Sequence, residues 1–167
     1  MRKRNMFLAA VLIAGLAAAA IAQAHTMRAS SASGSTIALR ETALGKIIVD
    51  SAGFTVYDFS RDQKNKDACQ SVGGCTSVWP PLVSSSAAKA GSGLNASQLG
   101  TITLSNGKKQ VTYFGHPLYL YTGDEHPGDT SYVGATQFGG KWLAVNAKGV
   151  SVNASSAGKK AEGDSGW

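Results

Sequence analysis

The chain has 167 residues, of which 16 are Lys or Arg and 10 are Asp or Glu, so its formal net charge is +6. Half of that excess comes from Arg2, Lys3 and Arg4, which lie in a segment that we predict to be removed, and the rest is scattered along the chain. The composition therefore argues against a nucleic-acid-binding protein. The length that remains suits one domain with its own core.

The first 24 residues have the three parts of a secretory signal peptide. A basic start, MRKRN, precedes the apolar run MFLAAVLIAGLAAAAIA and the small-residue site AQA. We predict cleavage after Ala24 and a periplasmic or secreted protein with no stable membrane insertion. An uncleaved membrane anchor is the alternative. No cysteine follows the apolar run, so the acylated cysteine of a lipoprotein is not available.

Three stretches of the mature chain are poor in apolar side chains. They cover residues 25–36, 84–98 and 153–167. We interpret the first as a flexible leader, the second as the linker between two repeats and the third as a flexible tail. The organised domain is then 37–152, with repeat one at about 44–82 and repeat two at about 101–149.

Between these stretches the pattern is typical of short strands, rich in β-branched and aromatic residues. The predicted strands are KIIVD (46–50), FTVYDFS (54–60), TITL (101–104), KQVTYF (109–114), PLYLYT (117–122) and KWLAV (141–145). Asn106-Gly107 predicts a hairpin turn. No segment after the signal has a sustained helical period. The predicted fold class is all-β, with mostly antiparallel short strands and two related β repeats packed as one domain.

Two cysteines, Cys69 and Cys75, occur in the run CQSVGGC. Export to an oxidising compartment and the even count favour a structural disulfide between them. A redox-active pair is more often spaced C-x-x-C, and covalent haem attachment requires C-x-x-C-H.

The motif segment GFTVYDFSRD (53–62) recurs as GHPLYLYTGD (115–124). The shared positions are Tyr57, Phe59 and Asp62 in the first copy and Tyr119, Tyr121 and Asp124 in the second. Trp79 follows the first copy by 17 residues, and Trp142 follows the second by 18. This duplication predicts that each unit leaves an apolar face uncovered and that the pair closes one core.

Two interpretations of the motif remain open. In the favoured one, the Tyr packs in the core and the Asp, just beyond the strand, accepts loop amides and shapes a turn. In the other, the Tyr hydroxyl bonds the Asp in a ligand pocket. Trp79 and Trp142 are expected to be core anchors, because they recur in register with the strands. Trp79 could alternatively stack on a ligand.

The two Y-x4-D segments, the cysteines leading into WPPL, the run NGKKQVTYFGHPLY and the later HPGD and KWLAV resemble bacterial secreted-repeat lipoproteins with a Yx(F/W/Y)xxD motif. The resemblance spans about residues 44–149. It implies an exported envelope protein, and the function of that family is not established. We therefore expect a non-enzymatic binding or structural module whose partner is an unknown envelope protein or a small ligand.

Chemistry-bearing side chains crowd the run GDEHPGD. Asp124, His126 and Asp129 lie there, and His116 lies in the turn before the preceding strand. Such oxygen and imidazole groups can hold a divalent cation, although the same run is also ordinary turn chemistry. We predict no cofactor, and a bound divalent metal is the alternative. With a metal, the protein would be an accessory to metal handling or electron transfer. A secreted enzyme has the least support, because no nucleophile or dinucleotide motif is present.

Overall fold

A computed structural model of the chain describes residues 36–154. The predicted signal peptide, the predicted leader before Thr36 and the predicted tail after Ala154 lie outside the described residues. Within them are eleven short strands, one α-helix of four residues, α1 (Cys75–Val78), and two 3-10 turns, Cys69–Ser71 and Ala96–Gln98. The strands are β1 (Thr36–Thr42), β2 (Gly45–Val49), β3 (Tyr57–Phe59), β4 (Val83–Ser84), β5 (Lys89–Ala90), β6 (Leu99–Thr103), β7 (Lys109–Tyr113), β8 (His116–Pro117), β9 (Thr136–Gln137), β10 (Gly140–Val145) and β11 (Ser151–Val152). The predicted all-β class with mostly antiparallel pairing is confirmed.

Each repeat begins with an antiparallel hairpin. In repeat one, β1 pairs β2 from Ala38 opposite Val49 to Thr42 opposite Gly45, and in repeat two, β6 pairs β7. The turn predicted at Asn106-Gly107 joins β6 and β7. Gly107 has a φ of 79°, which a residue with a side chain rarely adopts, and the Asn106 side chain accepts the Lys108 N–H at 3.0 Å. The strand β1 was not predicted, because the small polar residues before it hide its start.

The two motif segments cross at their tyrosines. The Tyr57 N–H donates to the Tyr119 carbonyl oxygen, and the Tyr119 N–H donates to the Tyr57 carbonyl oxygen, both at 2.9 Å. This reciprocal pair is an isolated antiparallel bridge. A local twofold axis therefore passes between the two copies of the motif.

The repeats exchange the segments that carry their tryptophans. In β10, Trp142 of repeat two stands opposite Phe59 in β3 of repeat one. In the same way, residues 80–82 of repeat one hydrogen-bond residues 118–120 of repeat two, and β4 continues this pairing alongside β7. Each repeat thus completes the sheet of the other, and neither closes its own.

The apolar side chains form two clusters and not the single core that the duplication predicted. The first surrounds the tryptophans and contains Ile47, Tyr57, Phe59, Cys69, Cys75, Trp79, Tyr119, Val133, Trp142 and Ala144. The second contains Ile37, Ile48, Val56, Leu82, Val111, Tyr113, Leu118 and Val145. Neighbours such as Leu118 and Tyr119 enter different clusters because strand side chains alternate between faces. The central strands are therefore buried on both sides, and both repeats contribute to both clusters.

The predicted linker 84–98 is an ordered connection. It contains β5, which runs parallel to β1, and a 3-10 turn over Ala96–Gln98. The Gly91 N–H donates to the Ile37 carbonyl oxygen at 2.7 Å, and a Cβ at Gly91 would lie 2.9 Å from that oxygen. The small residues of this segment thus let its backbone approach β1 closely. A composition rich in small residues is also typical of disordered segments, so composition alone does not distinguish the two.

The predicted disulfide is confirmed. Cys69 and Cys75 are bonded, their Cα atoms are 5.5 Å apart, and both are fully buried in the first cluster. The bond therefore fixes the loop between Asp62 and Trp79 directly against the aromatic residues.

Because the strands are exchanged, we expect the two repeats to unfold as one cooperative unit. Ile48→Ala in repeat one and Leu118→Ala in repeat two each remove a fully buried side chain of the second cluster. Each should lower the free energy of unfolding by about 2 to 5 kcal/mol. Calorimetry should show one transition for the parent and for both variants, and a variant that splits it into two would contradict the exchanged architecture.

Candidate functional site

The repeated Tyr and Asp residues bond across the repeats. The Tyr57 hydroxyl donates to the two carboxylate oxygens of Asp124 at 3.2 and 3.1 Å, and the Tyr119 hydroxyl donates to Asp62 Oδ2 at 2.8 Å. Both tyrosines are fully buried. Each copy of the motif therefore supplies the Tyr of one pair and the Asp of the other, an arrangement that spacing within a single copy does not reveal.

A second aspartate follows each motif at the same distance. Asp67 comes five residues after Asp62, and Asp129 comes five residues after Asp124. Asp67 Oδ1 accepts the Gln70 N–H at 3.0 Å, and Asp129 Oδ2 accepts the N–H groups of residues 125 and 126. Asp67 was missed in the sequence analysis, although its recurrence as Asp129 is visible there. These carboxylates shape the loops that bring Asp62 and Asp124 to the tyrosines.

Asp62 and Asp124 differ in their remaining partners. Asp62 Oδ1 also accepts the Ala68 N–H at 2.7 Å, so it fixes its own loop as the favoured interpretation expected. For Asp124, the bonds seen among the described residues are those from the Tyr57 hydroxyl, and the loop amides go to Asp129 instead. In the first repeat, Asp62 thus bonds both a loop amide and a Tyr hydroxyl, with Asp67 bonding a second amide. In the second repeat, Asp124 bonds the Tyr hydroxyl and Asp129 bonds the loop amides.

Burial sets the protonation of these pairs. It raises the pKa of Asp62 to about 7, against the opposing hydrogen bonds from Ala68 and Tyr119, and it raises the pKa of Asp124 to about 6. Burial and the facing carboxylates raise the pKa of both tyrosine hydroxyls far above the usual range. The tyrosines are therefore neutral donors, while the two carboxyls change charge near neutral pH.

The other motif positions and the tryptophans form a column of stacked rings. Trp79 and Trp142 lie face to face, with centroids 4.1 Å apart and planes 2° apart. Phe59 stacks on the outer face of Trp142 at 4.2 Å, and Tyr121 lies on Trp79 at 4.3 Å. Tyr57 and Tyr119 meet the edges of the tryptophans, each at 5.1 Å. All of the predicted aromatic site residues thus meet at the interface between the repeats.

One polar cluster has no counterpart in the other repeat. Asp58 is 3% exposed, and its Oδ2 accepts the Ser151 hydroxyl at 2.5 Å and lies 3.2 Å from His116 Nδ1. In the aligned motif, Leu120 stands in place of Asp58 and Phe54 in place of His116. The hydrogen bond to Asp58 raises the pKa of His116 above its usual value. The pair was missed because a lone Asp on a strand gives no sequence signal.

The four predicted metal ligands do not form one group. His116 lies against Asp58, whereas His126 Nδ1 is 3.8 Å from Asp129 Oδ2. Among residues 36–154, no three His, Cys, Asp or Glu side chains come together in a way that could hold a metal ion. The structure therefore separates His116 from the GDEHPGD loop.

Comparison with known proteins identifies a family. The sequence model of a family described as a secreted repeat of unknown function matches twice, over residues 38–83 and 100–146, which together make up more than half of the chain. No curated protein and no solved structure matches. Within the described part of the chain, no helix has the length and apolar character needed to cross a membrane.

We expect stability to fall as the pH rises from about 4, the ordinary pKa of an aspartate carboxyl, to about 7, the raised pKa of Asp62. Asp62 and Asp124 have folded-state pKa values of about 7 and about 6, above the ordinary pKa of 3.8 for an aspartate carboxyl. The folded state therefore holds protons that the unfolded state has released, and the stabilisation present at low pH is lost as each carboxyl ionises. The raised pKa of His116 acts in the same direction above its usual value of 6.5.

Asp62→Asn should flatten this dependence, because the amide keeps an acceptor for the Ala68 N–H without taking on charge. Thermal melting across the pH series measures the slope, with Asp50→Asn as the control, because the half-buried Asp50 also accepts turn amides. Melting temperatures that rise with pH in the parent, or an unchanged slope in Asp62→Asn, would contradict the pKa assignment.

Proposed function

The chain belongs to the family of secreted repeats of unknown function, and on that premise we propose that it is an exported bacterial envelope protein with a binding or structural, non-enzymatic role. The mature protein begins at His25 and is periplasmic or secreted. It resembles the lipoproteins of the family but has no cysteine at the end of its signal for lipid attachment.

The hydrogen bonds made within the repeated motif are the observation that supports this proposal. Both Tyr hydroxyls are buried, and each donates its hydrogen to the Asp of the other repeat. A residue that bonds internally in this way holds the protein together and is not free to contact a substrate. The duplicated motif therefore builds a scaffold, and binding falls to surfaces outside it.

A groove beside the segment that follows Trp79 offers such a surface. Its volume is about 380 Å³, and it lies between that segment and the β6–β7 hairpin. Pro80, Pro81 and Leu104 form its apolar part, and Gln70 and Lys108 are among its polar residues. Five of its nine lining residues are polar, so the groove suits a ligand or peptide that pairs hydrogen-bonding groups with a small apolar part. The hairpin and the Pro-Pro segment are both held by the exchanged strands, so the groove is preformed.

Crosslinking in living cells tests the proposal. A photo-crosslinking residue replaces Val83, which lines the groove and is 39% exposed, and a second variant carries it at Val150, which is 55% exposed and not among the groove residues. We expect discrete envelope adducts from position 83, few from position 150, and a mature N-terminus at His25 by mass spectrometry. Retention of residues 1–24, or equal and diffuse adducts from both positions, would contradict the proposal.

A second candidate function is an envelope accessory to electron transfer or metal handling. The aromatic column favours electron transfer, because indole and phenol are the aromatic side chains that are most readily oxidised by one electron. Its rings run in unbroken contact from Phe59 through Trp142, Trp79 and Tyr121 to Tyr132.

A further inference from the structure

The two ends of the aromatic column differ in chemistry although the repeats are alike. The twofold relation places Phe59 at one end where Tyr121 stands at the other. Beyond Tyr121 lies Tyr132, with ring centroids 4.0 Å apart, whereas the position that corresponds to Tyr132 in repeat one is Gln70. Phenylalanine is far harder to oxidise than tyrosine. Only the Tyr121 end therefore continues as a series of oxidisable rings.

Exposure changes along the same direction. Trp79 and Trp142 are fully buried, Tyr121 is partly buried, and Tyr132 is 37% exposed. The column thus joins the centre of the first apolar cluster to solvent through side chains in direct contact. Packing alone requires apolar volume at these positions, but it does not require that the exposed end be a phenol.

We propose that this column carries one-electron oxidising equivalents from the buried Trp79–Trp142 pair through Tyr121 to a surface outlet at Tyr132. This activity is additional to the binding or structural role, and it specifies the electron-transfer alternative. Its co-reactants are a strong one-electron oxidant, such as a high-potential metal complex or an oxygen-centred radical, and a one-electron reductant such as a thiol.

The transfer balances in electrons and protons. The oxidant gains one electron from the indole pair, leaving an indole cation radical. Tyr121 then gives an electron to the indole and its phenol proton to water, which restores the indole and leaves a neutral tyrosyl radical at Tyr121. Tyr132 gives an electron to this radical, and Tyr121 regains a proton from water. The Tyr132 O–H bond breaks, its proton goes to water, and a neutral tyrosyl radical remains at the surface. The reductant returns one electron and water returns the proton, which closes the cycle.

The surroundings of the indoles favour onward transfer. Trp142 Nε1 is buried and has no hydrogen-bond partner among residues 36–154, and Trp79 Nε1–H donates to the Gln137 side-chain oxygen at 2.8 Å, a weakly basic amide. Neither oxidised indole has a carboxylate or imidazole bonded to its nitrogen to remove the proton. The indole therefore stays a cation radical, which is a stronger oxidant than the neutral radical and draws an electron from tyrosine.

The test begins with photoionisation of tryptophan in the purified mature protein. All samples carry Trp167→Phe, because Trp167 lies outside the described residues and would add its own signal. We expect the tryptophanyl absorption to decay as the tyrosyl absorption rises, at a rate independent of protein concentration. Tyr57 and Tyr119 also touch the indoles, so a spin trap followed by peptide mass spectrometry must locate the radical.

Three variants separate the relay from packing. Tyr132→Phe should abolish the trapped adduct at this position. Tyr121→Phe keeps a stacked ring but not the oxidisable phenol, and it should lower the adduct at Tyr132 at least several-fold with thermal stability nearly unchanged. Tyr113→Phe is the control, because Tyr113 belongs to the second apolar cluster. The proposal fails if Tyr132 carries no adduct in the parent, or if Tyr121→Phe leaves its yield unchanged, and either result leaves the crosslinking test of envelope binding unaffected.

Discussion

The architecture depends on the exchange of hydrogen bonds between the two motif tyrosines. Their backbones pair reciprocally, and each hydroxyl reaches the aspartate of the other repeat. A buried hydroxyl without a partner would cost about 1 to 3 kcal/mol, so each repeat needs the other to satisfy its own tyrosine. This mutual dependence explains why the same spacing occurs twice in one small protein. The motif joins two half-domains, and each copy needs the other for its buried tyrosine to be hydrogen-bonded.

The packing follows from that pairing. With the tyrosines fixed on the local twofold axis, the tryptophan segments cross to the opposite repeat and their indoles meet face to face. The disulfide holds one of the intervening loops against these rings. The corresponding loop of the other repeat contains no cysteine, and there Asp129 accepts two loop amides. The two repeats differ within this shared arrangement at two places: the contact of Asp58 with His116 and the contact of Tyr121 with Tyr132.

Much of this frame could be predicted from the sequence. The opposite faces of Leu118 and Tyr119 follow from period-two alternation, and the hairpin at Asn106-Gly107 follows from turn chemistry. The strand predicted over 117–122 was wrong in extent, because β8 ends at Pro117 and Tyr119 pairs through isolated bridges. The disulfide follows from export and an even cysteine count. The spacing of residues along the sequence does not reveal which distant residue a side chain contacts. Asp62 looked like the companion of Tyr57 because it lies five residues away, but an exchanged topology brings it to Tyr119. The exchanged topology also brings Asp58 and His116 together, although they are far apart in the chain.

A double-mutant cycle tests the exchanged pairing most directly. Unfolding free energies are measured, at a pH above the pKa of both carboxyls, for Tyr119→Phe, Asp62→Ala and the double variant, and for the same-copy set of Tyr57→Phe with Asp62→Ala. The exchanged architecture predicts a coupling energy of about 1 kcal/mol or more for the Tyr119–Asp62 pair. It predicts additivity to within about 0.5 kcal/mol for the Tyr57–Asp62 pair. Coupling within one copy of the motif and additivity across the copies would contradict it.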